Sequence, residues 1–139
     1  MSPQRPLILL VEDNEDDAAL VQRAFQTAGV VNPVYTVKNG MEAIAYLGGD
    51  PPYQDRSRFP LPVLVLLDIR MPLRDGFAVL KWIRSTEGLA RLRVVMLTSS
   101  DAVHDADLAY KMGANSFLIK PLDFLNAAEL SRSIQIQLP

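Results

Sequence analysis

An unbroken apolar run, "LPVLVLL", occupies residues 61–67 and ends at Asp68. A short run without polar alternation is typical of a β-strand covered on both faces, and such strands occur in parallel sheets that carry helices on each side. An isolated buried charge is costly. Asp68 must therefore be a helix cap, a paired structural ion or a reactive group.

Five β-type segments alternate with five helical segments along the chain. The predicted strands are residues 6–11, 32–37, 61–67, 92–97 and 116–119. The predicted helices are residues 14–28, 39–49, 76–86, 101–112 and 121–134. Strict alternation predicts an α/β fold with a doubly wound parallel sheet, right-handed crossovers and helices on both faces. In such sheets the ligand lies beyond the carboxyl ends of the strands.

Length and composition narrow the class of protein. From 139 residues we expect a single domain, residues 1–139, without an effector domain. The net charge of −2, with no basic block, argues against binding to nucleic acid or to an anionic membrane. No apolar run approaches the roughly 20 residues that span a bilayer, and the N-terminus leads directly into a strand. We therefore expect a cytoplasmic protein.

The residue types available limit the kind of metal site. The chain has no cysteine and a single histidine, His104, to which the sequence assigns no chemical role. Disulfides, thiolate catalysis and metal clusters built on thiolates or imidazoles are thereby excluded. Any metal must be a hard cation held by carboxylates.

Polar side chains stand at the carboxyl ends of four predicted strands and would converge on one edge of the sheet: Glu12, Asp13, Asp68, Thr98 and Lys120. Carboxylates about 4 Å apart repel by about 4 kcal/mol per pair at an effective dielectric constant of about 20. Mg²⁺ would relieve this repulsion, and Lys120 and Thr98 would complete a site matched to a phosphoryl group. A carboxylate can itself accept that group as an aspartyl phosphate.

Five motifs follow one another along the chain: "LVEDN" (10–14), "LLDIRMP" (66–72), "DG" (75–76), "MLTSS" (96–100) and "GANSFLIKP" (113–121). On these motifs the sequence resembles the receiver domain of two-component response regulators, over its whole length. The resemblance implies a flavodoxin-like, five-stranded sheet in the order 2-1-3-4-5.

The resemblance also implies a role for each residue at the strand ends. Asp68 would accept a phosphoryl group from a histidine kinase, and Thr98 and Lys120 would bind that group. The implied Mg²⁺ ligands are Glu12, Asp13, Asp68 and the backbone carbonyl of Arg70. The protein would carry out only its own phosphorylation and dephosphorylation, and would not be a turnover enzyme.

Phe117 occupies the switch-aromatic position of the family, and the bond between Lys120 and Pro121 is expected to be cis. Two residues depart from the commoner family pattern. Glu12 stands where Asp is more usual, which lengthens the reach to the metal. Phe117 replaces Tyr and has no hydroxyl group, so its coupling to Thr98 would be mainly steric.

The first helix and a polar, Pro-rich insertion at residues 50–61 are similar to those of stand-alone receivers that partner phytochrome-type histidine kinases. The expected output is a protein–protein contact that changes with phosphorylation, with a downstream partner that the sequence does not identify. Two surfaces are hypotheses for a homodimer. One is the face of helix four, strand five and helix five; the other is the tail, residues 133–139, where apolar and polar residues alternate.

Three alternative interpretations compete with a signalling receiver. A haloacid-dehalogenase-like phosphohydrolase usually carries a second Asp two residues after its nucleophile, where this chain has Arg70. A flavin-binding module needs a Ser/Thr/Gly-rich loop after strand one, where this chain has "EDNEDD" (12–17). A pseudo-receiver would lack site residues that this chain retains. On simpler structural interpretations, Glu12 and Asp13 favour a helix N-terminus and Phe117 is ordinary core.

Overall fold

The structure is a computed structural model that describes residues 6–71, 75–98 and 103–120. Its strands are Ile8–Val11 (β1), Val34–Val37 (β2), Leu64–Asp68 (β3), Val94–Thr98 (β4) and Ser116–Ile119 (β5). Its helices are Glu15–Thr27 (α1), Gly40–Gly48 (α2), Gly76–Ser85 (α3) and Val103–Lys111 (α4). The predicted fifth helix and the C-terminal tail lie outside the described residues.

The five strands form one parallel sheet in the order β2-β1-β3-β4-β5. The predicted α/β fold and its strand order are therefore confirmed. The register aligns the carboxyl ends of the strands, because Asp68 pairs with Leu97 and Thr98 pairs with Ile119. Residues at these ends are brought to one edge of the sheet.

Both faces of the central strands are covered, as the unbroken apolar runs predicted. Every residue of β1 and β3 is buried. Alternate strand residues belong to two hydrophobic clusters, one shared with α2 and α3 and the other shared with α1. Burial of this apolar area is the main force that holds the helices on the sheet.

Strand β3 begins at Leu64, three residues later than the apolar run predicted, and it extends one residue further, to Asp68. Pro62 has no amide hydrogen for a sheet hydrogen bond. Leu61 and Val63 are exposed at 48% and 37%. The prediction, which rested on apolar composition alone, thus included residues 61–63, which precede the paired part of the strand.

Helix ends near the site are fixed by side-chain caps. Asn14 begins α1 by accepting a hydrogen bond from the amide of Asp17 at 3.0 Å, and Asp75 begins α3 by accepting one from Ala78 at 3.0 Å. Such caps satisfy amides that have no partner within the helix. Asp75 thus fills the role of helix cap, which leaves Asp68 free for another.

The insertion at residues 50–61 is packed against the domain, although its composition is that of a loop. Arg56 donates to the carbonyls of Tyr46 and Leu47 at 2.8 Å each and to Phe59 at 3.2 Å, which ties the insertion to the C-terminal end of α2. Four aromatic rings pack around it, with centroids 5.0–6.2 Å apart: Tyr35, Tyr46, Tyr53 and Phe59. The insertion is therefore an ordered part of the fold.

Within the described ranges, every helix is too short or too polar to cross a lipid bilayer.

Candidate functional site

Three acidic side chains meet at the carboxyl edge of the sheet. Glu12 and Asp13 follow β1, and Asp68 ends β3. Glu12 and Asp68 are buried, whereas Asp13 is exposed. One carboxylate oxygen from each of the three lies within 4.8 Å of the others. The structure thus brings together the acidic residues that the sequence predicted as a cluster.

Lys120, the residue after β5, places its ammonium group among these acids. Its Nζ donates to Asp68 Oδ2 at 2.9 Å, to Asp17 Oδ2 at 3.1 Å and to Glu12 Oε1. Charge-assisted hydrogen bonds of this kind are stronger than those between neutral groups. Lys120 therefore pairs directly with Asp68.

Burial and crowding change the proton affinity of this cluster. Burial, together with the adjacent Asp68 carboxylate, raises the pKa of Glu12 from 4.5 to about 8 against the opposing effect of Lys120. Burial alone would lower the pKa of Lys120, but its hydrogen bonds to Glu12 and Asp68 raise it instead. In the absence of a cation, this environment favours the protonated form of Glu12 and the charged form of Lys120.

The two oxygens of Asp68 face different groups. Oδ1 accepts a hydrogen bond from the amide of Arg70 at 3.2 Å, and Oδ2 accepts from Lys120.

The backbone of Asp68 packs directly against the start of α3, because a Cβ at Gly76 would lie only 2.5 Å from the Asp68 carbonyl oxygen. Glycine is thus the only residue that lets α3 begin this close to β3 without a shift of the backbone.

The donor set fits a hard divalent cation. Glu12 Oε2 is buried and has no hydrogen-bond partner within the described part of the chain. A buried oxygen without a donor is costly unless a cation binds it. Carboxylate oxygens are the ligands that Mg²⁺ and Mn²⁺ prefer. Glu12, Asp13 and Asp68 could therefore hold the predicted metal.

Arg70 lies two residues after Asp68, where its backbone carbonyl was predicted as a metal ligand. Its exposed guanidinium extends away from the cluster and donates to Asp105 of α4 at 2.9 Å. The loop after β3 is thereby joined to α4 by an ion pair.

The predicted switch residues lie on the adjacent strands. Thr98 ends β4 beside Asp68, and its side chain lies outside what the structure describes. Phe117 pairs with Met96 in the sheet and is half-buried. Its ring packs edge-on against Tyr110 of α4, with centroids 5.6 Å apart. Pro121 and the side chain of His104 also fall outside the described part of the structure.

Two contacts at the site were missed from the sequence. Asp17 was not among the predicted site residues, yet it contacts Lys120. The pair of Arg70 and Asp105 joins residues 35 positions apart. The cap at Asn14 was the one available signal for Asp17, because it fixes where that residue stands in the first turn.

The chain was compared with known protein families and curated proteins. Residues 8–133 match the family described as the response regulator receiver domain. The chain is 39% identical over 129 residues to the probable methanogenesis regulatory protein FilR2 of Methanothrix harundinacea, covering 93% of this chain and 79% of that protein. It is 32% identical over 129 residues to the response regulator Rcp1 of Synechocystis sp., covering 93% of this chain and 86% of that protein.

Solved structures of response regulators resemble this chain as well. The bacteriophytochrome response regulator AtBRR superposes with a TM-score of 0.85 at 34% identity, over 99% of this chain and 97% of that one. The Mn²⁺-bound form of Rcp1 superposes with a TM-score of 0.76 at 31% identity, over 95% of this chain and 93% of that one.

Proposed function

This chain belongs to the response regulator receiver domain family of two-component signalling, and from that premise we propose that Asp68 accepts a phosphoryl group from a histidine kinase. The observation that carries the proposal is the contact between Lys120 Nζ and Asp68 Oδ2 at 2.9 Å, at the centre of an acidic cluster. A structural ion pair would need one acid, whereas this lysine has three.

The proposed reaction is an in-line displacement at phosphorus. An oxygen of Asp68 attacks the phosphoryl group of a phosphohistidine, so that an O–P bond forms as the N–P bond breaks and its electron pair returns to the imidazole. Positioning and charge neutralisation dominate the catalysis of such transfers. The amide of Arg70 orients the carboxylate through Oδ1, and Lys120 offers positive charge to the incoming oxygens. Thr98, at the end of β4, would donate its hydroxyl to one of them.

We propose Mg²⁺ as the cofactor, with the ligands predicted from the sequence: Glu12, Asp13, Asp68 and the carbonyl of Arg70. When bound, the cation neutralises the carboxylates and the charge on the transferred group. Two observations support this proposal: Glu12 Oε2 has no hydrogen-bond partner among the described residues, and the related Rcp1 has been seen in a Mn²⁺-bound form. The proton held by Glu12 would have to leave before that residue could bind the cation.

The proposed output is a protein–protein contact on the face of α4 and β5. Leu108, Tyr110 and Ile119 are exposed there at 44%, 48% and 42%. Phe117 packs against Tyr110, so movement of its ring would be felt at this face. A homodimer through this face is one form that the contact could take, and the tail proposed as the alternative lies outside the described residues.

The similarity to the bacteriophytochrome response regulator AtBRR supports a phytochrome-type histidine kinase as the partner. We propose that the chain forms one receiver domain and does not turn over simple phosphoesters. In an aspartyl-nucleophile phosphohydrolase the second residue after the nucleophile is a proton donor. Arg70 cannot fill that role, because its guanidinium stays protonated.

Incubation with Mg²⁺ and acetyl phosphate, followed by intact mass measurement, tests the proposal. We expect one added phosphoryl group on the wild type and none on Asp68→Asn. Asp16→Asn, which removes an exposed carboxylate nearby, is the matched control and should be phosphorylated like the wild type. An adduct that forms without Mg²⁺, or that persists in Asp68→Asn, would overturn the assignment.

A further inference from the structure

Three acidic side chains from different parts of the fold contact the ammonium group of Lys120. Glu12 directly follows β1, Asp68 ends β3, and Asp17 lies in the first turn of α1. An ammonium has three N–H donors, so these contacts use its whole hydrogen-bonding capacity. Lys120 can therefore bind a phosphoryl oxygen only by giving up at least one of them.

Two of the three acids have other partners in the proposed reaction. Asp68 becomes bonded to the phosphoryl group, and Glu12 would turn to the cation. Among the described residues, the group suited to a metal comprises Glu12, Asp13 and Asp68, and Asp17 stands outside it. Asp17 is thus the acid that can stay with Lys120 throughout.

The backbone of Asp17 is held in place independently of Lys120. Its amide donates to Asn14 Oδ1 at 3.0 Å, which makes it the third residue of α1 after the cap. An acid at this position commonly turns back to the amide of the cap residue. Here its carboxylate instead reaches Lys120, 103 positions along the chain, at 3.1 Å. A rigid helix end therefore presents an anion to the lysine.

We propose that Asp17 is a positioning residue for Lys120, which keeps the ammonium beside Asp68 once Glu12 and Asp68 have bound the cation and the phosphoryl group. This inference rests on the proposed function. It makes the N-terminus of α1 part of the phosphoryl-transfer site, although Asp17 itself touches neither the cation nor the transferred group.

The test measures the rate of phosphorylation by acetyl phosphate in saturating Mg²⁺ for three variants. Asp17→Asn should slow the reaction about fivefold, the effect of about 1 kcal/mol on the barrier. Asp17→Glu, which keeps the charge, should restore most of the rate. Asp16→Asn removes the same charge from the same turn of α1 and should react like the wild type.

A second readout separates the lysine from the metal. Because Asp17 acts on Lys120, the Mg²⁺ concentration for half-maximal rate should change equally in Asp17→Asn and Asp16→Asn, whereas the maximal rate should fall only in the former. A maximal rate in Asp17→Asn at or above that of Asp16→Asn overturns the proposal, and so does a failure of Asp17→Glu to recover. Thermal melting checks that each variant is folded, with Asp17→Ser replacing Asp17→Asn if the latter is not. A wild type that takes up no phosphoryl group refutes the proposed function itself.

Discussion

The guanidinium of Arg70 lies 2.9 Å from the carboxylate of Asp105, so that the loop following Asp68 is tied to α4. The amide of the same arginine donates to Asp68. One residue therefore contacts both the proposed phosphoacceptor and the helix that borders the proposed output face.

We expect Arg70→Ala to loosen α4 with little change in global stability. Exposed ion pairs contribute about 0–1 kcal/mol, so the free energy of unfolding should fall by less than about 1 kcal/mol. Hydrogen–deuterium exchange at the amides of α4 should nevertheless become faster, because the helix loses an anchor to the sheet. Arg70→Lys can still pair with Asp105 and serves as the control. Unchanged exchange in α4 of Arg70→Ala would show that the ion pair does not restrain the helix.

The raised pKa of Glu12 predicts a pH-dependent stability in the absence of metal. The folded state binds a proton at Glu12 up to pH about 8, whereas the unfolded chain loses it near pH 4.5. Between these values the folded state holds more protons, so this residue's contribution to the unfolding free energy falls as pH rises, by at most about 1.4 kcal/mol per pH unit. Thermal melting in EDTA from pH 5 to 9 would measure the dependence.

Glu12→Gln is the matched variant, because it is neutral at every pH and nearly equal in size. Its melting temperature should fall less over the same range, and the difference from the wild type should be smallest at pH 5 and level off above pH about 8. Mg²⁺ should raise the wild-type melting temperature more at pH 8 than at pH 6, because the cation competes with the proton. Identical pH profiles for Glu12→Gln and the wild type would falsify this assignment.

Two glycine substitutions should have opposite effects. A Cβ at Gly76 would lie 2.5 Å from the Asp68 carbonyl oxygen and 2.7 Å from the Cα of Ile69, so backbone has to shift. We expect Gly76→Ala to cost about 1–3 kcal/mol in unfolding free energy and to slow phosphorylation of Asp68. At Gly48, in α2, the nearest atom would lie at 3.7 Å, an ordinary contact. Gly48→Ala should be neutral or stabilising by up to about 1 kcal/mol, as urea denaturation of both variants would reveal.

The insertion at residues 50–61 should depend on the planar guanidinium of Arg56. Lys cannot reproduce its donation to the carbonyls of Tyr46, Leu47 and Phe59 at once. We expect Arg56→Lys to lower the unfolding free energy by about 1–3 kcal/mol, because carbonyls at the end of α2 lose their donors. Arg58→Lys, two residues on, keeps a cation over the Phe59 ring and should change it little. Equal stability of the two variants in urea would contradict a capping role for Arg56.

Much of the fold could be predicted because it follows from periodicity. Strands Ile8–Val11 and Leu64–Asp68, which are apolar except for Asp68, are buried on both faces, and parallel pairing brings their carboxyl ends together. The convergence of Glu12, Asp68 and Lys120 needed no more than this. It depends on where strands end, which local sequence determines.

Other contacts depend on side-chain directions that no local pattern encodes. Asp17 reaches Lys120 only because the cap at Asn14 fixes the first turn of α1 in one orientation. Arg56 fits the end of α2 because the whole insertion folds back on aromatic rings that come from β2, α2 and the insertion itself. The burial of Glu12, which raises its pKa, arises from the packing of several elements. It could likewise not be predicted from the local sequence pattern.

Asp68 ends a strand that has a hydrogen-bonded neighbour on each side, β1 and β4. Asp68 pairs with Leu97 of β4, and the preceding Leu67 pairs with Val11 of β1, so displacement of Asp68 would disturb the pairing on both sides. We therefore expect the proposed acceptor to stay in place, and any rearrangement that follows its phosphorylation to be a movement of the elements around it. Surfaces that change on phosphorylation should accordingly be sought among the peripheral helices and strands, while the central strands keep their positions.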